Sequence, residues 1–208
     1  MSEQGVSNAL MGLGRMGVAW VDLPGSTRLA LLRALGSAGE MLTQQGLSHV
    51  LWAIAVMGVP VALSSSTTTT SATASDGPGD ASVDEEGKVA ARQASAALAN
   101  ALQRLTSTDH SSSPVPFSAQ TLSSVLYALA LASGSGSNNP GCGCAYADLD
   151  PLVRQALETA CMRTASTMGA REVSLSFYGL GASHPTYTFT SHLHVLLFSF
   201  HFMSNHLI

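Results

Sequence analysis

One eleven-residue pattern occurs four times in this chain, and self-similarity of this kind confines a chain to architectures that stack like units. The copies span 4–14, 45–55, 120–130 and 171–181 and align without a gap. Positions 3, 7 and 10 of the pattern are large and apolar in every copy, and position 4 is always serine. Position 8 is Met, Trp or Tyr, and positions 9 and 11 are Gly or Ala. So many constrained positions do not recur together by chance in a chain this short.

The pattern reads as a helix. Positions 3, 7 and 10 share a stripe at 3.6-residue spacing, and positions 1, 4, 8 and 11 form an adjoining one. Together they predict a wide buried face, as on a helix packed between neighbours on both sides, with positions 2, 5 and 9 facing away. The small pair at 9 and 11 lets another helix backbone approach. Glycine there costs about 1 kcal/mol relative to alanine, so the first copy (Gly12, Gly14) and the fourth (Gly179, Gly181) are expected to be the weaker ones.

Second helices are predicted between the copies. Residues 24–35 begin at a proline and carry Leu29, Leu32 and Leu35 at helical spacing, with Gly36 as the expected end. Residues 85–105 are alanine-rich, acidic at the start and basic near the end, which suits the helix dipole. Residues 149–166 carry Asp150 as N-cap before Pro151. Pattern helices (A) thus alternate with B-helices. Two insertions separate some copies: a Ser/Thr/Gly tract at 64–84, expected to be disordered, and a Gly/Ser/Asn loop at 133–144. The expected organisation is repeat helices over 3–63, the insertion over 64–84, repeat helices over 85–182 and an atypical tail over 183–208. The fold class is all-α: an open α-α superhelix, or solenoid, of helical hairpins with disordered insertions.

Composition narrows the functional classes. Only 11% of residues are charged and the formal net charge is −4, so no broad electropositive surface exists to hold a polyanion non-specifically. Three cysteines give no disulfide framework. No apolar run reaches the roughly 18–20 residues of a spanning helix, so no membrane partner is expected. Cys142, Cys144 and Cys161 lack the fourth ligand of a tetrahedral metal site, and His192 and His194 have no accompanying carboxylate. The glycines at 12, 14 and 17 lie inside a predicted helix and follow no strand, so they are not a dinucleotide fingerprint. No serine elbow, phosphate loop or carboxylate pair occurs. Neither an enzyme nor a cofactor is expected.

The run Gln45-Gly46-Leu47-Ser48-His49-Val50-Leu51-Trp52-Ala53-Ile54-Ala55, followed by Met57, Gly58 and Pro60, resembles the A-helix of the octotricopeptide repeat proteins. It is also similar to the helical repeats of the FAST-kinase-like and RAP-domain organellar proteins. The resemblance covers about residues 3–182. Copy four departs from it at Arg171 and Leu175, and 183–208 matches nothing in the family. The resemblance implies an α-solenoid acting on single-stranded RNA of a chloroplast or mitochondrion, in processing, stability or translation, with other proteins of an RNA-processing complex as further partners.

In a helical-repeat reader each unit presents one or a few side chains to one base. Position 5 varies most, as Asn8, His49, Ser124 and Leu175, so Asn8, His49 and Ser124 are the candidate base contacts. Simple solvation is the alternative for these positions. Trp52 and Tyr127, at position 8, are expected in the core. The B-helix cations Arg28, Arg33, Lys88, Arg92, Arg104, Arg154 and Arg163 are candidates for tracking phosphates, Arg92 and Arg154 foremost, or else an ordinary solvated face. A protein–protein scaffold is the competing reading, since α-solenoids offer concave surfaces to either kind of partner. Met1 stands immediately before a copy of the repeat and the composition shifts abruptly after residue 182, so the chain reads as part of a longer solenoid.

Overall fold

The computed structural model describes residues 2–63, 81–106, 117–133 and 146–182, with backbone alone at 81–84, 147 and 182. The expectations for Cys142, Cys144, His192, His194 and the tail lie outside the described residues, as does most of both insertions. Seven α-helices are described: α1 (Glu3–Arg15), α2 (Gly25–Ala38), α3 (Gln44–Met57), α4 (Ala81–Thr106), α5 (Ala119–Ala132), α6 (Pro151–Thr164) and α7 (Ala170–Ala182). Among the described residues there is no strand. The four copies of the pattern are α1, α3, α5 and α7, and α2, α4 and α6 are the B-helices.

The first three A-helices start alike. Two residues before pattern position 1, a hydroxyl accepts a hydrogen bond from the N–H of position 2: Ser2 from Gly5 at 3.2 Å, Thr43 from Gly46 at 3.1 Å and Ser118 from Thr121 at 3.1 Å. Each satisfies one of the amides a helix N-terminus leaves unpaired. The first two copies also end alike, on Gly17 and Gly58 at φ of 71° and 72°, a conformation in which an L side chain is strained.

Two of the B-helices, α2 and α6, share an entry that extends the repeat beyond the eleven-residue pattern. Trp20-Val21-Asp22-Leu23 and Tyr146-Ala147-Asp148-Leu149 each precede a B-helix, and each is followed five residues after its leucine by Arg28 or Arg154. Both segments form a single 3₁₀ turn with its aromatic buried. The Tyr146 hydroxyl donates to Glu158 at 2.8 Å on α6. Asp150 caps α6 by accepting from the Leu152 N–H at 2.8 Å, as its sequence predicts.

The helices pack in two series. α1 lies on α3, α3 on α5 and α5 on α7, while α2 lies on α4 and α4 touches α6. Positions 3 and 7 of the first three copies (Val6, Leu47, Leu122; Leu10, Leu51, Leu126) are buried and join Leu35, Leu98, Leu102 and Leu157 in one core. The position-4 serines of these copies are buried too. Each hydroxyl donates to a carbonyl one turn back: Ser7 to Glu3 at 2.7 Å, Ser48 to Gln45 at 2.9 Å and Ser123 to Gln120 at 3.0 Å. A small side chain that satisfies itself within its own helix can sit against a neighbouring helix without a partner there.

Small residues mediate the close approaches, as the sequence predicts. A methyl group added at Gly14 would meet the Trp52 ring at 3.0 Å and the Ala53 Cα at 3.5 Å. Along the B-series, a methyl at Gly39 would overlap Ala97. Three expectations need correction. Position 9 does not face away from the core: Ala53 and Gly179 lie against the preceding A-helix, and Ala128 is buried. Position 1 does not belong to the buried stripe, and position 8 belongs to it only in part, with Trp52 half-buried against the core. Gly36 does not end α2, which continues to Ala38 because Gly36 makes room for Gln93 and Ala94 of α4. The insertion expected to reach residue 84 yields its last four residues to α4, which begins at Ala81.

Candidate nucleic-acid interface

The outer side of each A-helix is a ridge made by positions 1, 5, 8 and 12, which an α-helix places within a narrow arc opposite positions 3, 7 and 10. Position 1 (Gln4, Gln45, Gln120, Arg171) is exposed in all four copies. At position 5, Asn8 is exposed, while His49, Ser124 and Leu175 are half-buried. The Ser124 hydroxyl donates to the Gln120 carbonyl at 2.8 Å, leaving its oxygen able to accept from a ligand.

Position 8 is the residue class that periodicity misassigned. Met11, Trp52 and Tyr127 are half-buried, and Tyr178 is 53% exposed. Tyr127 and Tyr178 lie with ring centroids 5.6 Å apart at an interplanar angle of 47°, so the aromatic residues of adjacent copies touch. The signal was present in the spacing: position 8 falls with 1 and 5, which are polar in the first three copies, and about 140° or more from the apolar positions 3 and 10 at about 100° per residue. An aromatic side chain there covers the seam between neighbouring A-helices and leaves part of its ring in solvent.

The charge on this ridge differs from that of the whole chain. Across the four copies, positions 1, 5, 8 and 12 contain Arg15 and Arg171 and no carboxylate. The chain carries a net −4, so its acidic residues stand elsewhere. Glutamine amides, an imidazole, an asparagine and aromatic faces remain: groups that bond base edges or stack on rings.

The two candidate arginines stand apart from the ridge, on the B-helices. Arg92 is exposed on α4, and its Nε lies 3.4 Å from the Lys88 carbonyl. Arg154 is half-buried on α6, and its Nε is enclosed without a hydrogen-bond partner, as is that of Arg28 at the matching position of α2. Of the other B-helix cations, Arg33 pairs with Glu86, Lys88 with Glu85 at 2.8 Å, and Arg104 donates to the Leu42 carbonyl at 2.9 Å. The Arg33 and Arg104 contacts tie separate segments together, and the Lys88–Glu85 pair stays within α4. The aligned row that sequence reasoning sought in Asn8, His49 and Ser124 exists on successive helices; the arginines do not join it.

Elsewhere the described residues offer little chemistry. No group of three metal-ligating side chains occurs among them, and no described helix is long and apolar enough to cross a membrane. Cys161 is buried on α6, and burial pushes its thiol up from the usual range. No family model matches this chain, and neither a curated protein nor a solved structure matches it.

Proposed function

We propose that this chain is part of an α-solenoid that binds single-stranded RNA along the outer ridge of its A-helices. The reading is carried by one observation: an acidic protein keeps a four-helix row of amide, varied polar and aromatic side chains free of carboxylates. The contact order α1–α3–α5–α7 alongside α2–α4–α6 supports the solenoid, since each unit touches its neighbours in sequence. Position 1 and position 5 supply hydrogen bonds to base edges, and position 8 supplies the ring on which a base rests. By the resemblance to octotricopeptide repeats, the RNA is an organellar transcript and the role lies in its processing, stability or translation.

Base–aromatic stacking contributes about 1–3 kcal/mol per base in single-strand binders. Removing Trp52 or Tyr178 should therefore weaken RNA binding roughly 5- to 150-fold, on the scale of about 1.4 kcal/mol per decade. The trial is a selection from random single-stranded RNA followed by binding measurements on Trp52→Ala and Tyr178→Ala. An enriched sequence bound less tightly by both variants supports the proposal. A pool without enrichment, or variants that bind like the parent, would turn the assignment to a protein scaffold.

A further inference from the structure

The first three units of the ridge pair glutamine at position 1 with a polar residue at position 5: Gln4 with Asn8, Gln45 with His49 and Gln120 with Ser124. The fourth changes both at once, to Arg171 and Leu175, and keeps a ring at position 8 as Tyr178. The chemistry on offer changes with them. An amide both donates and accepts, and so matches a base edge, whereas a guanidinium only donates and always carries its charge. Leucine can do neither, and RNA lacks the thymine methyl that an apolar side chain could touch.

These three residues follow one another along one side of α7. Leu175 lies about 4–5 Å along the axis from Tyr178, and Arg171 about 10 Å from it. A base resting on the Tyr178 ring therefore has Leu175 beside its edge and Arg171 one turn further away, on the side of the sugar–phosphate chain. The ring is set from α5, where Tyr127 meets it at a centroid distance of 5.6 Å and an interplanar angle of 47°. Rings so close and so tilted leave no room for a base between them, so the base rests against the solvent side of the pair. Leu175 is half-buried, as His49 and Ser124 are at this position, so chemistry rather than exposure sets it apart. Arg171 is exposed, as position 1 is in every copy, and its guanidinium has no hydrogen bond or ion pair among the described residues. The neighbouring carboxylate of Glu172 turns toward Gly169 instead, where an added methyl would stand 2.8 Å from it.

We propose that α7 holds one nucleotide without reading its base: Tyr178 stacks on it, Arg171 neutralises its phosphate, and Leu175 leaves its edge unread. The inference rests on the ridge as the RNA-binding surface, and it gives the ligand a form. The strand carries bases specified by α1, α3 and α5, followed by one place that accepts any base. An adjoining repeat beyond α7 would lengthen the strand and leave this place where it is.

The trial is a selection from random single-stranded RNA with the full chain, followed by binding of the selected RNA with each base in turn at every position. The place in question adjoins the one that Ser124→Asn alters, on the side away from the one that His49→Asn alters. The parent chain should bind all four bases there equally. Leu175→Asn should create a preference of roughly 5- to 150-fold for one base at that place. Leu175→Ser, which installs the residue of the third copy, replaces it should circular dichroism show the asparagine variant unfolded. Arg171→Gln should weaken all sequences alike and make the salt slope shallower by about 0.7, the share of one phosphate. Three results overturn the inference and leave the ridge standing: a base already specified at that place by the parent, a folded Leu175 variant that creates no preference, or Arg171→Gln that changes the favoured base or keeps the salt slope. A pool without enrichment overturns the ridge and the inference together.

Discussion

A methyl group on Gly179 would stand 2.7 Å from the carbonyl carbon, the carbonyl oxygen and the Cβ of Leu126, so the contact between α5 and α7 closes around a glycine. Gly12 occupies the same pattern position in α1 and has nothing within 4 Å. One substitution should therefore have opposite signs at the two sites. Gly12→Ala gains helix propensity and should stabilise by about 0.5–1 kcal/mol. Gly179→Ala gains the same propensity but forces two backbones apart, and overpacking of this kind costs about 1–3 kcal/mol. Denaturant melts of the two variants check it; a stabilised Gly179→Ala would mean that α7 does not lie where described.

The central A-helices should be the hardest part of the chain to open. Stability in a stacked array is a sum of unit terms and neighbour interfaces, and α3 and α5 each have an A-helix on both sides. Amide exchange should be slowest over 47–55 and 122–130, and faster in α1 and α7. Leu51→Ala and Leu126→Ala, both at core positions, should each cost about 2–5 kcal/mol. Faster exchange in α3 than in α1 would contradict this.

The all-helical class and the four A-helices were legible because a buried helix face must repeat at 3.6 residues, and four copies expose the rule. Asp150 and Pro151 likewise marked the start of α6 through local chemistry alone. What periodicity misplaced was position 8. Its residues are large and apolar enough to read as core, yet Trp52 and Tyr127 bridge the seam between helices and keep an edge in water. Gly36 misled for the opposite reason. In isolation it reads as a stop, whereas α4 supplies the packing that carries α2 through it. The Trp20 and Tyr146 turns were visible in the sequence too, but only by aligning the copies past their eleventh residue. The separation of Arg92 and Arg154 from the ridge was not legible, because it depends on which face of each B-helix the stacking leaves outside.

Alkaline pH should loosen the end of the molecule around α6. Burial first, and then its hydrogen bond to Glu158, push the Tyr146 phenol well above the ordinary tyrosine range. The fold therefore favours the protonated phenol. Its contribution is fully present below the unfolded tyrosine value of about 10 and is lost as pH rises beyond it. Cys161, also raised by burial, begins the same loss at lower pH, so the comparison belongs in a Cys161→Ala background. There, melting temperature should fall more steeply above pH of about 10 than in the additional Tyr146→Phe variant. Identical slopes would mean that Tyr146 is not enclosed.

The ridge and the B-helix cations should fail differently when altered. Asn8, His49 and Ser124 occupy one pattern position on three successive helices, so each faces a different point along a bound strand. Asn8→Ser, His49→Asn and Ser124→Asn should each change which base is favoured at one place in the selected sequence, with each correct base worth about 1–3 kcal/mol if the discrimination measured for DNA bases carries over. Arg92→Gln touches no base in this arrangement and should weaken all sequences alike, or leave binding unchanged if the strand does not reach α4. With Arg15 and Arg171 the cations on the ridge, few phosphates are neutralised. The logarithm of affinity should fall by only about 0.7 per phosphate contact for each decade of salt. Binding profiles of the three ridge variants against single-base substitutions of the selected RNA decide it. A steep salt slope together with unchanged base preferences would remove the ridge from recognition and place the strand on the B-helices instead.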